Sequence, residues 1–284
     1  MAAILLALGS AIGWGLSDFL GGLKSRSSSI LSVLLVSQVT ALGVLGFTVV
    51  VRGLPAPDGR FLAYAAGAGL GEAVGIAALY RGLAVGRMTV VASIAAAAPV
   101  LPVLAGLVAG EVPGPVASVG VVLAAAGVVI TSVQRDTANT TTSGASGVGY
   151  GLLAAAGFGS FFLAMDFASE ADVPWALLTA RLTSVTAVGA VTVAVIGRSG
   201  RLRVQRADLP VMALIGALIV VADGMYAVAT TLGLLGVAAV LGSLHTVVTI
   251  GLARIVLGER LARIQRAGIV TVLAGVLAIA GSPV

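Results

Sequence analysis

The sequence predicts an all-α polytopic membrane protein, with ten transmembrane helices arranged as two inverted five-helix repeats around a central cavity. Three observations predict this fold. Apolar residues make up 59% of the 284 residues and charged residues only 10%, with a mean hydropathy of +1.14, which is more apolar than a water-soluble domain can be. Apolar runs of about 20 residues, the length that crosses roughly 30 Å of hydrocarbon, recur along the chain. Features of the first half also recur in the second half.

The apolar runs are continuous and are separated by Gly, Pro and Arg. Continuous runs favour helices over a barrel, whose strands would alternate polar and apolar residues. The N-terminal run lacks the basic segment of a cleaved signal peptide and is interpreted as the first retained span. The predicted spans are residues 2–23, 30–51, 61–80, 88–109, 115–133, 148–168, 174–197, 209–232, 236–257 and 265–281.

The longest polar connection, residues 134–147, divides the chain nearly in half. Its sequence, QRDTANTTTSGASG, is rich in Ser, Thr and Gly, a composition typical of a flexible linker. We therefore predict a first five-helix repeat at residues 1–134, a polar linker at 135–147 and a second five-helix repeat at 148–284.

Glycine motifs recur on the two sides of this linker at nearly constant spacing. Because each half holds five spans, an odd number, the second copy must enter the membrane in the opposite sense. Inverted repeats of this kind are common in secondary transporters, whose binding sites lie at the repeat interface near the middle of the bilayer. The motifs are Gly110-Glu111, Gly120 and Gly127, which return 148 residues later as Gly258-Glu259, Gly268 and Gly275, and Gly13-Trp14-Gly15, which returns 144 residues later as Gly157-Phe158-Gly159.

Together these motifs resemble the EamA family of the drug/metabolite transporter superfamily. The resemblance depends on the two five-span copies, the Trp14-Gly15 opening, the YRGLAVG run at residues 80–86 and the LGERL run at residues 257–261. It implies ten helices around a central pocket, alternating access, and export of amino acids, other metabolites or drugs. The family commonly carries an Arg in the second helix of each copy. Arg181 matches that position, whereas its counterpart is Gln38.

Basic residues concentrate in the connections after the odd-numbered spans, including the cluster at residues 198–206. The positive-inside rule places these connections in the cytoplasm and both termini outside, whereas the family resemblance implies that both termini lie inside. We favour the charge count. Because the basic residues flank the spans, the net charge of +5 does not predict a nucleic-acid partner.

Two carboxylates lie near the middle of apolar runs, Glu72 in residues 62–80 and Asp223 in residues 209–232. A carboxylate at bilayer depth costs about 2.5–3.5 kcal/mol on insertion scales, so both should face protein or a water-filled interior. Aligning the two copies puts Ala222 opposite Glu72, which gives both copies an acidic residue at nearly the same depth. We interpret both as substrate- or proton-binding groups. In the alternative, Glu72 is protonated and bonds a neighbouring helix.

Polar and aromatic residues share a face of the first span and of the eighth. Trp14 and Asp18 are four residues apart, and Tyr226 follows Asp223 by three, spacings that place each pair on one helix face. Trp14 could stack on a substrate or bind a cation through its ring, or it could be a packing residue. Asp18 could line the cavity, pair with Lys24 or face the headgroup layer. The sixth span repeats the face as Phe158, Phe162 and Asp166.

The remaining candidates are His245 and Arg181. His245 is the single histidine; it could relay protons, because imidazole ionises near neutral pH, or bond a neighbouring helix. Arg181 must be paired or must reach the interface, with either a carboxylate partner such as Asp18 or Glu72 or an anionic group of a substrate. The predicted substrate- or proton-binding residues are Glu72, Asp223, Trp14, Asp18, Tyr226, His245 and Arg181.

The sequence thus predicts a secondary transporter in the cell (plasma) membrane that exports small organic metabolites, amino acids or drugs by alternating access, with proton coupling as one version. The alternative is a non-transporting scaffold, a flippase accessory subunit or a channel. The predicted partners are a small-molecule substrate, the lipid bilayer and, if transport is coupled, protons. The sequence has no Cys, no nucleophile motif and no metal-ligand cluster, so neither an enzyme nor a metal nor a cofactor is predicted.

Overall fold

The structure, a computed structural model, describes residues 2–53, 55–98, 100–108, 114–132, 143–169, 171–199, 205–231, 244–259 and 262–281. These residues form α-helices joined by turns, with no strand among them. A short 3-10 turn, Arg206–Asp208, precedes the ninth helix. The helices are α1 (Ala2–Lys24), α2 (Ile30–Arg52), α3 (Gly59–Val85), α4 (Met88–Ala95), α5 (Val100–Val108), α6 (Pro115–Ser132), α7 (Ser143–Ser169), α8 (Val173–Ser199), α9 (Leu209–Thr231), α10 (His245–Leu257) and α11 (Arg263–Ala280).

The prediction of an all-helical membrane protein is confirmed, while the count of ten spans stays a prediction. In the described part of the chain, six helical segments are long and apolar enough to cross a bilayer. Most of the predicted linker and residues 236–243 of the ninth span lie outside the described residues. The six segments are Ile4–Lys24, Ile30–Arg52, Gly59–Val85, Gly147–Ser169, Val173–Gly197 and Arg206–Tyr226.

The predicted fourth span, 88–109, is interrupted and forms two helices, α4 and α5. Between them the chain makes tight turns, in which the Ala97 amide donates to the Ile94 carbonyl at 3.0 Å and the Ala98 amide to the Ala95 carbonyl at 3.1 Å. The sequence continues with Pro99 and Pro102. Proline has no amide hydrogen and disfavours helical conformation in the residue before it, so a continuous α-helical ladder cannot form here.

Helix contacts run mainly between the two sequence repeats. The first helix of each repeat packs against the third helix of the other, which gives the pairs α1 with α9 and α7 with α3. The second helices, α2 and α8, pack against each other, and α2 also contacts α9 while α8 contacts α3. The last helices, α6 and α11, form a further pair. The protein core therefore lies between the repeats, where residues from both copies can meet.

The glycines of the motif that recurs in the two halves of the sequence lie where α6 and α11 cross. A Cβ atom built on Gly127 would lie 2.4 Å from the backbone nitrogen of Val272, and one built on Gly275 would lie 2.4 Å from that of Ala124. Small residues let two helices approach this closely in a bilayer, where packing drives association. The recurring Gly-x6-Gly pattern is thus a helix contact made by both repeats.

Connections that follow α1, α3, α8 and α10 lie together at one end of the bundle. The Arg26 side chain donates to the backbone oxygens of Leu83 and Gly86 at 3.1–3.3 Å, and Lys24 pairs with Asp208. Arg26 also lies 3.7 Å from a carboxylate oxygen of Glu259. An inverted repeat with five spans per copy predicts that these connections share one membrane face.

Glu259 links this end of the second repeat to the start of α4 in the first. Gly258 ends α10 with a φ of +64°, a left-handed conformation that glycine adopts at low cost. The next side chain, Glu259, accepts hydrogen bonds from the backbone amides of Met88 and Thr89 at 3.0 and 3.1 Å and from the Thr89 hydroxyl at 2.9 Å. A carboxylate here satisfies free amides at a helix N-terminus. The corresponding Gly110-Glu111 lies outside the described residues.

We expect Glu259→Ala to lower the free energy of unfolding by about 1–2 kcal/mol, because three donors at the start of α4 lose their acceptor. Glu259→Gln keeps one acceptor oxygen and should lose less. Asp58→Ala is the matched control, since Asp58 precedes α3 without a side-chain capping bond. Thermal unfolding in detergent measures all three variants, and equal stability of Glu259→Ala and Asp58→Ala would contradict the capping role.

Candidate functional site

Arg181 of α8 lies at the centre of a buried charged cluster that joins four helices. One terminal nitrogen of its guanidinium, Nη1, donates to Gln38 Oε1 of α2 at 2.7 Å and to Glu72 of α3. The other, Nη2, donates to Asp223 Oδ2 of α9 at 3.0 Å. Arg181 is 3% exposed, Gln38 0% and Glu72 7%. Because α2 and α3 belong to the first repeat and α8 and α9 to the second, the cluster bridges the two copies.

Two glycines at equivalent places in the repeats bring these four helices into contact. A Cβ built on Gly69 of α3 would lie 2.2 Å from the backbone oxygen of Ala180 in α8, and one built on Gly216 of α9 would lie 2.2 Å from that of Ser37 in α2. Ala180 precedes Arg181, and Ser37 precedes Gln38. The two glycine contacts thus fix the backbone next to Arg181 against α3 and the backbone next to Gln38 against α9.

Aromatic side chains form the side of the cluster that faces α1, α9 and α10. The indole nitrogen of Trp14 donates to Asp223 Oδ1 at 2.8 Å, so the Asp223 carboxylate is shared between Trp14 and Arg181. The Trp14 ring centroid lies 5.3 Å from that of Tyr226 and 6.0 Å from that of His245, the latter nearly edge-on. All three rings are partly exposed. They line an accessible aromatic surface next to the charges.

The Gly13-Trp14-Gly15 sequence explains how Trp14 reaches this position. A Cβ built on Gly13 would lie 2.9 Å from the Cβ of Ala222 in α9, and one built on Gly15 would lie 2.7 Å from the backbone oxygen of His245 in α10. The two glycines therefore let α9 and α10 approach α1 closely on either side of Trp14. The large ring between them is directed to the place where the three helices meet.

Asp18, one turn after Trp14, lies beside His245 rather than beside a strong base. Its Oδ2 atom is 4.0 Å from His245 Nε2, which is beyond hydrogen-bond distance. The alternatives that pair Asp18 with Lys24 or with Arg181 are not observed, since Lys24 bonds Asp208 and Arg181 bonds Glu72 and Asp223. The Asp18 side chain is 18% exposed, so it remains accessible from the aromatic surface.

Several buried polar atoms of the cluster have no hydrogen-bond partner among the described residues. They are Glu72 Oε2, Gln38 Nε2 and Arg181 Nε. An unsatisfied buried polar group costs about 1–3 kcal/mol, so native structures usually supply water or a ligand to such atoms. The cluster therefore leaves two donors and one acceptor unsatisfied, and all three atoms are buried.

In the described part of the chain, the polar and aromatic residues of α1 and α9 have apolar counterparts in α7 and α3. Trp14 and Asp18 correspond to Phe158 and Phe162 at a spacing of 144 residues, and Asp223 and Tyr226 correspond to Ile76 and Leu79 at the spacing of 147 that also relates Gly69 to Gly216. The side chain of Asp166, the third residue of the repeated face, lies outside the described part of the structure. In these described pairs, the polar side chains thus lie on the side formed by α1 and α9.

An apolar cleft of about 300 Å³ lies elsewhere, between α5, α6 and α7. Its lining contains only alanine, valine and leucine side chains, including Leu101, Leu104, Ala125, Leu152 and Ala156. Leu104 and Leu152 are exposed, as expected of a groove facing lipid. Because it offers no polar group to orient a solute, the charged cluster is the stronger candidate for the functional site.

The structure brings the predicted site residues into one region. Arg181, Glu72, Asp223 and Trp14 are joined by hydrogen bonds, and the rings of Tyr226 and His245 lie against Trp14, with Asp18 alongside. Sequence reasoning missed the contact between Gln38 and Arg181. The available signal was an uncharged polar residue in the middle of the second span, at the position equivalent to Arg181.

Family models and solved structures both give matches along nearly the whole chain. The model of the EamA-like transporter family matches residues 1–133 and 145–281. A search of curated proteins returned no match. Among solved structures, one described as "Crystal structure of protein" is 15% identical, with a TM-score of 0.60 over 97% of this chain and 95% of its own. At that identity the likeness concerns the fold alone.

Proposed function

Because the chain belongs to the EamA-like transporter family, a family of transporters rather than enzymes, we propose that it is a secondary transporter of small organic solutes. In this proposal it exports metabolites, amino acids or drugs across the cytoplasmic membrane by alternating access. The binding site is the charged cluster around Arg181 together with the aromatic surface around Trp14.

The observation that supports this proposal is the set of bonds from Arg181 to both repeats. The guanidinium holds Gln38 and Glu72 of the first repeat and Asp223 of the second. Charged side chains in a membrane interior are costly and usually mark a solute or ion pathway. Sites in transporters with inverted repeats lie at the repeat interface. A solute that competes for these bonds would change how the two repeats are held together.

Flux measured with purified protein tests the proposal. Proteoliposomes are loaded with amino acids, amines, organic acids and amphipathic drugs in turn, and the rate of release is compared with that of protein-free vesicles. We expect saturable release of at least one class of solute. A rate equal to that of protein-free vesicles for every class, with protein that remains folded, would contradict the transporter assignment and favour the non-transporting alternative.

Proton coupling would use the carboxylates of the cluster. In that version, one carboxyl group releases its proton when the solute arrives and regains a proton from the other side of the membrane. Both Glu72→Gln and Asp223→Asn should then remove the stimulation of flux by a pH gradient, while exchange of solute across the membrane without a gradient continues. Stimulation that survives in both variants would exclude these two residues as the coupling groups.

A further inference from the structure

We propose that the solute carries a positive charge and that its cationic group binds between the Asp18 carboxylate and the Trp14 ring. This inference rests on the proposed transport function and adds the class of substrate. It follows from the net charge of the site, from the hydrogen bonds that already occupy Arg181 and from the aromatic surface.

The site has more negative than positive groups. Asp18, Glu72 and Asp223 supply three carboxylates, whereas Arg181 supplies one permanent positive charge. When all three carboxyl groups are ionised and His245 is neutral, the site carries an excess of two negative charges, which protons or a bound cation can neutralise. A buried or partly buried charge is stable only with a counter-charge. A cationic solute supplies that counter-charge, while an anionic solute would increase the excess.

Arg181 is not available to an anionic solute in this arrangement. Both terminal nitrogens of its guanidinium donate to side chains of the protein. Its Nε atom is free but fully buried, and the residue is only 3% exposed. An anionic group could reach Arg181 only by displacing Glu72 or Asp223 and leaving a carboxylate unpaired, which is a costly exchange.

The accessible acceptor, Asp18, lies beside His245, whose ring packs against Trp14. Asp18 is partly exposed. In the described part of the chain, His245 is the one basic side chain within 4.0 Å of its carboxylate. Trp14 and Tyr226, whose ring centroids are 5.3 Å apart, supply the electron-rich faces that attract ammonium groups. Carboxylate and indole together form a suitable site for an amine or a quaternary ammonium group.

A series of ligands that differ mainly in charge tests this inference. The chain has two tryptophans, so in a Trp175→Phe background the fluorescence reports on Trp14 alone. The probes are phenethylamine, phenethyl alcohol, phenylalanine and 3-phenylpropionate, which share a phenyl ring on a short carbon chain. We expect phenethylamine to bind at least about tenfold more tightly than the uncharged and anionic probes.

Asp18→Asn should remove this preference in the same background. Asp58→Asn is the matched control, because Asp58 is an exposed carboxylate just before α3 that makes no side-chain capping bond, and the preference should persist in that variant. Equal or tighter binding of the alcohol, the zwitterion or the anion to the Trp175→Phe protein would overturn the inference whether or not Asp18→Asn folds.

Flux of the same four compounds in proteoliposomes separates this inference from the proposed function. Transport confined to uncharged, zwitterionic or anionic compounds, here or in the wider solute panel, would refute the cationic class and leave the transporter assignment in place. Flux of no compound in either set, with folded protein, would refute both.

Discussion

Replacing Arg181 with leucine is expected to abolish solute flux and to lower the free energy of unfolding by about 3–5 kcal/mol. The loss is large because Glu72 and Asp223 would both remain buried without the guanidinium that neutralises them, and removing one partner of a buried charge pair leaves an uncompensated charge. Arg181→Lys should recover only part of the stability, since one ammonium cannot replace a planar fork that reaches Gln38, Glu72 and Asp223 together.

Thermal unfolding in detergent and flux in proteoliposomes measure these effects. Arg52→Gln is a suitable control, because Arg52 is an exposed residue in the last turn of α2. The triple variant Glu72→Gln, Arg181→Gln, Asp223→Asn removes all three charges and should regain stability without regaining flux. Wild-type flux in the triple variant would show that the cluster stabilises the bundle without taking part in transport.

The second large effect is expected at the two glycines that bring the repeats together. Gly69→Ala and Gly216→Ala each place a methyl group 2.2 Å from a backbone oxygen, that of Ala180 and that of Ser37 respectively. Helix backbone cannot yield as a flexible side chain does, so the helices must separate. We expect each variant to lose about 1–3 kcal/mol of stability and most of its flux, since the shift moves Gln38 or Arg181 directly.

Matched controls exist in the same two helices. A Cβ on Gly67 of α3 or on Gly224 of α9 would meet no atom within 4 Å. Gly67→Ala and Gly224→Ala should therefore keep wild-type flux and be equally or slightly more stable, because alanine favours helix over glycine. Equal losses in all four variants would mean that the glycines matter for their local flexibility rather than for the close contact of the repeats.

Much of the fold is predictable from the sequence because few kinds of structure can span a bilayer. The lengths of the apolar runs predict the ends of α1, α2 and α9 to within one or two residues. The recurring glycines at positions 120, 127, 268 and 275 identified the repeats, because close helix contacts tolerate only small residues. The interruption between α4 and α5 was signalled by Pro99 and Pro102, but hydropathy alone does not register a break in hydrogen bonding.

The members of the site were predictable and their partners were not. A carboxylate or a guanidinium in the middle of a span is recognisable in the sequence. A charged group inside the bilayer is energetically costly, so its presence indicates a partner or a function. The choice among Asp18, Glu72 and Asp223 as partners of Arg181 depends on helix rotation and on the approach of helices at Gly69 and Gly216. Gln38 was noticed as the counterpart of Arg181, yet nothing in its spacing indicates that the two side chains touch.

In the proposed transport mechanism, the region beside Trp14, Asp223 and Tyr226 is a hydrated site that opens to each side of the membrane in turn. The chain has no cysteine, so a single Tyr226→Cys variant can be labelled selectively in proteoliposomes. A membrane-impermeant maleimide should modify this cysteine when added to either side, and a transported solute should slow the reaction from both sides. Failure to label Tyr226→Cys from either side in folded protein, under conditions that label an exposed control such as Asp58→Cys, would contradict this mechanism.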